Sequence, residues 1–185
     1  MTPELDQHIR EKYPKIFQYR CEMSIGDGWF DIIDLLCSNI QNHINRTRRD
    51  RHDVLVYNRA LSRAIRGDLS TYERLREYQQ RKIDEELGYP EPQLKIVPQA
   101  CPQVVVSQIK EKFGTLRFYY TGGDEFVDGL EHMADSMSAV MCEDCGCPGK
   151  SRSSKGKWVR TLCDKHALEQ GYMSYGDKDE VSISE

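Results

Sequence analysis

The chain has 185 residues, 38% hydrophobic and 30% charged, with a formal net charge of −4. That length suits one domain with a real core plus a small appendage, and the polar composition confines the core to a few periodic segments. No apolar run approaches a membrane span and residues 1–10 carry no apolar signal core, so we exclude spanning and secreted classes and expect a cytoplasmic protein whose seven cysteines are thiols and metal ligands, not a disulfide framework.

Leu5, Ile9, Tyr13, Ile16 and Phe17 recur at helical spacing, interrupted at Pro14, which predicts a short helix kinked or restarted there. The strongest amphipathic pattern follows Gly26-Asp27-Gly28-Trp29 and runs through Phe30, Ile33, Cys37, Ile40 and Ile44, with Asp27 placed as its N-cap and Trp29 read as core. From about 46 to 98 the text turns charged and helical. We read an inserted helical hairpin, one arm carrying Tyr57, Leu61, Ala64 and Ile65, the other starting at a Ser70 to Glu73 capping box and ending at Gly88.

Val104 to Ile109 and Leu116 to Tyr120 flank a turn over Lys110 to Gly114, which predicts a β-hairpin. Asp124 then caps a helix with an apolar face of Phe126, Val127, Leu130, Met133, Met137, Val140 and Met141, running straight into Cys142. Cys21, Cys37 and Cys101 stand singly and read as small core residues. The polar, acidic text from Tyr172 to Glu185 reads as a disordered tail.

Cys142, Cys145, Cys163 and His166 form a CxxC, a gap of seventeen residues and a CxxH. Two close pairs joined by a short connection are what a tetrahedral zinc ion needs, because each pair turns its ligand atoms toward one point. Gly146 allows a tight turn after the second cysteine, Gly149 and Gly156 permit a hairpin, and Asp164 onward reads as a helix ended by Gly171. Knuckle, hairpin and two ligands at a helix start are the order of a treble clef; a plain zinc ribbon is the alternative. Cys147 reads as spare, though it can stand in for a neighbour. Four protein ligands leave no water position, and the chain has no His-x-Glu or HExxH motif, so the zinc is read as structural.

The expected organisation is therefore α+β: a β-hairpin packed by helices in a core domain (residues 1–141) with the insertion at about 46–98, a C-terminal treble-clef-like zinc module (142–171), and a tail (172–185). The pieces Gly26-Asp27-Gly28-Trp29, Lys112-Phe113-Gly114, Leu116-Arg117-Phe118-Tyr119-Tyr120, Cys142 to Gly149 and Trp158 to His166 give the chain its likeness. It resembles a group of uncharacterised zinc-finger-like proteins encoded by tailed phages and prophages. The likeness covers the first core helix and the stretch from Val104 to Gly171, and leaves 46–98 as this chain's own insertion. It implies origin and fold, and a place in the host cytoplasm, but no particular activity.

Two basic groups are candidates for nucleic-acid contact: Arg46, Arg48, Arg49 and Arg51 at the tip of the insertion, and Lys155, Lys157 and Arg160 on the hairpin of the zinc module. A helix end favours such arginines by its dipole alone, and zinc hairpins present lysines to water and to proteins as well. Residues 43–90 hold eleven basic and eight acidic side chains, and 142–169 six and four, while the rest is acidic, which points to a host protein partner ahead of nucleic acid. The leading reading is a non-enzymatic, zinc-stabilised binding protein. The alternative is a metal-dependent enzyme acting on nucleic acid through Glu22, Asp27, Asp31 and Asp34, although Asp27 as a cap, Asp31 beside the helix dipole and Asp34 on a solvated face explain those residues without chemistry.

Overall fold

The structure is a computed structural model that describes residues 1–174. Among these, helices and strands follow in the order α1 (Pro3–Lys12), β1 (Glu22–Ser24), α2 (Phe30–Ala64), α3 (Glu77–Leu87), β2 (Val105–Lys112), β3 (Thr115–Thr121), α4 (Glu125–Ser138), β4 (Lys150–Ser153), β5 (Val159–Leu162), α5 (Asp164–Gln170) and β6 (Met173–Ser174), an α+β architecture. The chain divides into two compact units, Met1–Asn42 with Pro102–Glu185, and His43–Cys101.

In the first unit α1 stops one residue before Tyr13, whose N–H reaches Ile9 O at 3.0 Å, and the helix does not restart. Pro14 disfavours helical backbone at the residue before it, and a turn carries Ile16 into the core instead. Asp27 is not the cap of the following helix. It lies inside a single 3₁₀ turn, Asp27–Trp29, and its Oδ1 accepts from the Thr2 N–H at 2.6 Å. Trp29 is fully buried and lies on one side of α2 with Ile33, Cys37 and Ile40, which are fully buried as well.

The sheet of this unit has the order β1-β2-β3, with β1 parallel to β2 and β2 antiparallel to β3. The expected hairpin is present, but Lys112 pairs with Thr115, so the turn is only Phe113-Gly114. Their φ values of 56° and 83° are those of a type I′ turn, whose twist matches the strands it joins. Ile109, Leu116 and Phe118 are buried on one face, and Gln108, Lys110 and Lys112 share the other with Arg117 and Tyr119. The outer edge of β3 is closed by α4: the Leu116 N–H donates to Ser138 Oγ at 2.8 Å, and that hydroxyl donates to Asp135 O.

Asp124 caps α4 as its sequence position suggests, accepting from Val127 N–H at 3.3 Å, but the buried face is Val127, Ala134 and Ser138. Phe126, Met133 and Val140 are exposed, and Ala139, Val140 and Met141 separate the helix from Cys142.

In the second unit the helical arms begin elsewhere than the sequence suggests. Its first arm is no separate helix: α2 is continuous over 35 residues, so the change from apolar to charged text near residue 45 is a change of environment and not of backbone. The second arm does not start at Ser70; a 3₁₀ turn occupies Tyr72–Arg74 and α3 begins at Glu77. Tyr57, Ala60, Leu61 and Ile83 form the small core, while Ile65 is exposed. An extended return segment is tied to α2 by side chains that replace a strand ladder. Asn58 accepts from Lys95 N–H at 2.9 Å and donates to Lys95 O at 2.7 Å, and Arg51 donates to Pro98 O at 2.8 Å.

The C-terminal sheet has the order β5-β4-β6. Disorder from Tyr172 onward is thus corrected for the first residues of that segment. Tyr172 packs against Cys142, Leu162 and Ala167, and Met173–Ser174 pairs with β4, while residues 175–185 lie outside the described residues.

Ser138→Ala leaves a buried backbone donor at Leu116 without an acceptor. The expected cost is about 1–3 kcal/mol, read as a lower urea midpoint at unchanged slope.

Candidate metal centre

Cys142, Cys145, Cys163 and His166 come together with their ligand atoms within 4.8 Å of one another. Cys142 Sγ and Cys163 Sγ each lie 3.4 Å from His166 Nδ1, and Cys145 Sγ lies 3.9 Å from Cys163 Sγ. The seven cysteines are all free thiols, so no disulfide competes for these four positions. The group can hold a metal ion. The first pair sits on a tight loop in which Gly146 N–H donates to Cys142 O at 2.8 Å, and the second pair sits at the start of α5, with Cys163 at its N-cap. Cys147 Sγ does not belong to the group; its carbonyl accepts from Cys142 N–H at 2.7 Å.

Backbone N–H groups point at these sulfurs. Burial pushes the Cys142 thiol up, opposed by N–H groups of Cys163, Asp144 and Cys145, while the His166 backbone N–H lowers Cys163 to about 7. Such bonds favour thiolates, the form in which cysteine binds metal. Behind His166, its Nε2 lies 3.9 Å from Glu169 Oε2, which places a carboxylate on the side of the ring away from the sulfurs.

The loop Gly26–Trp29 holds the knuckle from behind. Gly28 N–H donates to Glu143 O at 2.7 Å, Gly26 N–H to Glu143 Oε1 at 3.1 Å, and Trp29 Nε1 to Met141 O at 2.9 Å. A β-carbon on Gly28 would stand 2.3 Å from both Cys142 O and Gly146 N, so only glycine fits. Glu143, 5% exposed, also meets Arg160 Nε at 2.8 Å, and the same guanidinium reaches Asp144 Oδ1 and Gln170 Oε1 at 2.7 Å each. Burial alone would lower the Arg160 pKa; Glu143 and Asp144 more than offset it and hold it above its ordinary value. Sequence reasoning missed this latch. Its one local signal was a Glu-Asp pair between two ligands, with no indication of which distant arginine would answer it.

The other candidate residues are dispersed. Arg46, Arg48, Arg49 and Arg51 are all exposed, but they lie in the middle of α2 and not at a helix end or hairpin tip. At ~100° per residue Arg46 and Arg49 fall on one side of the helix and Arg48 and Arg51 on the opposite side, so the four do not form one patch. Lys155 and Lys157 are exposed between β4 and β5, whereas Arg160 is engaged by the latch. Of the acidic residues, Asp34 takes Lys12 Nζ at 2.7 Å and Tyr13 OH at 2.9 Å, Glu22 accepts from Gln108, and Asp31 is exposed. Among the described residues no three of Glu22, Asp27, Asp31 and Asp34 converge on one point.

Gly28→Ala is expected to displace the knuckle and lower metal affinity at least tenfold while the far-UV helix signal persists. Competition with a chromogenic chelator measures this.

Compared with protein-family models, with curated proteins and with solved structures, the chain finds no match in any of the three.

Proposed function

We propose that this is a non-enzymatic binding protein of phage type, acting in the host cytoplasm, in which a structural zinc ion fixes the shape of a treble-clef-like contact module. The ligand geometry carries the proposal. For a tetrahedral zinc with Zn–S of about 2.3 Å and Zn–N of about 2.0–2.1 Å, sulfurs lie about 3.8 Å apart and sulfur and nitrogen about 3.6 Å apart. The spacings of 3.9 Å and 3.4 Å are close to those edges. Three cysteines and a histidine suit zinc over the hard, oxygen-seeking ions.

The treble-clef reading rests on order: a knuckle at Cys142–Cys145, the β4–β5 hairpin, then Cys163 and His166 at the start of α5. A filled Cys₃His shell offers no site for an activated water, which favours a structural ion. Phage origin rests on the resemblance of the motifs alone. A macromolecular partner, host protein or nucleic acid, is the role left for a rigid module whose polar latch is turned inward.

Purified protein is expected to carry a single zinc. Cys142→Ser, Cys145→Ser, Cys163→Ser and His166→Ala each abolish retention, while Cys147→Ser keeps it. Because structural zinc supplies on the order of ten kcal/mol of apparent binding energy, chelation should unfold the module, read as loss of near-UV dichroism. The cobalt derivative should give a tetrahedral, sulfur-rich spectrum unmoved by azide or acetate; an anion-dependent spectrum would show an open position and favour an enzyme.

A further inference from the structure

Among the described residues only Phe113 and Lys157 combine a side chain with left-handed backbone, at φ 56° and 64°. Each lies at a hairpin tip. Phe113 is the first turn residue between β2 and β3, where asparagine or glycine is the easy choice, and a bulky ring there is strained. The ring returns little packing: it is 74% exposed, with Lys112 Nζ 5.4 Å from its centroid. Trp158, next to Lys157, is 63% exposed. Strain kept for a ring that faces solvent points toward use by a partner.

The β2–β3 tip rests on β5, the strand that leaves the second tip. Thr161 Oγ1 donates to Gly114 O at 2.7 Å, and a β-carbon on Gly114 would meet Val159 Cγ1 at 3.3 Å. Lys110 and Lys112 share the open face of β2 with the half-exposed Tyr119, and Lys155 and Lys157 lie on the other tip. None of these four lysines is in an ion pair among the described residues. Of the nearby carboxylates, Glu22 on that face accepts from the Gln108 amide at 3.2 Å, Glu111 is on the opposite face of β2, where it lines a cavity with Trp158 and Glu143 and accepts from Gly114 N–H at 2.6 Å, Asp135 holds Arg117, and Glu143 and Asp144 hold Arg160.

We propose that these tips form a docking surface for single-stranded nucleic acid, with Phe113 and Trp158 stacking on bases and Lys110, Lys112, Lys155 and Lys157 meeting phosphates. Unpaired cations beside bare aromatic rings are the recognition chemistry of single strands, whose bases are free to leave their stack; a duplex offers the rings nothing. The inference rests on the binding-protein reading and names its partner class.

The test titrates zinc-loaded protein with oligo(dT) and oligo(rU), following tryptophan emission. Trp29 is fully buried, so quenching reports on Trp158. Four phosphate contacts predict a slope of log affinity against log salt of about −3, with about 0.7 lost for each lysine changed to glutamine. Trp158→Ala and Phe113→Asn should each weaken binding roughly tenfold. Phe113→Asn also creates an Asn-Gly turn, so melting temperature should rise as affinity falls. Absence of binding, or unchanged affinity in Phe113→Asn, overturns the docking surface, as does binding only to phosphatidylserine vesicles; with zinc still retained, those results leave the binding-protein reading standing. Cleavage of the oligonucleotide overturns that reading itself.

Discussion

Glu143 is the residue on which the two halves of the metal module and the core depend. It sits between two ligand positions, 5% exposed, and its four polar groups are all committed: N–H to Thr161 O, carbonyl to Gly28 N–H, one carboxylate oxygen to Gly26 N–H and the other to Arg160. A buried carboxylate is tolerated only when its charge and lone pairs are answered in this way. Consequently the loop before α2, the knuckle and β5 take up their positions together. Removing one partner strands a charge in a dry site.

This changes what a structural metal would do here. An isolated module of about 30 residues has too little core to fold without metal. In this chain the knuckle also receives the Trp29 indole through Met141 O, and β5 receives the β2–β3 turn through Thr161. A metal held by this group would thereby be linked to the geometry of the sheet turn that carries Phe113. The ion need not touch a partner to control how the module's surface is presented.

Legibility in the sequence followed the range of the interactions involved. The convergence of Cys142, Cys145, Cys163 and His166 was readable because CxxC and CxxH are local patterns. The hairpin was readable as alternation, but its turn was placed too wide, because Lys110 and Lys112 look like loop residues until Lys112 pairs with Thr115. In α4 the period and part of the face were right, with Val127 buried and Leu130, Met137 and Met141 partly buried, but Ala134 and Ser138 were missed because they are small, and Ser138 is buried where it closes the edge of β3, which no hydrophobicity count registers. Strand β1, three residues paired in parallel with a segment some 85 positions later, left no local trace. The length of α2 was missed for the converse reason, since helix hydrogen bonds are local and continue through Asn45 to Asp53 without an apolar stripe.

The cations show why density along the chain is a poor guide to a binding surface. Four arginines within six residues of α2 look like the strongest patch, yet helical rotation divides them into two pairs on opposite sides, and Arg51 is drawn to Pro98 O. Arg160, counted with its neighbours as a phosphate contact, is neutralised by Glu143 and Asp144. Lys110 and Lys112 attract no attention in a sequence whose overall charge is −4, but strand alternation sets them on one face and no carboxylate answers them. What makes a charge available to a partner is the absence of one inside the fold, and that depends on pairing in three dimensions.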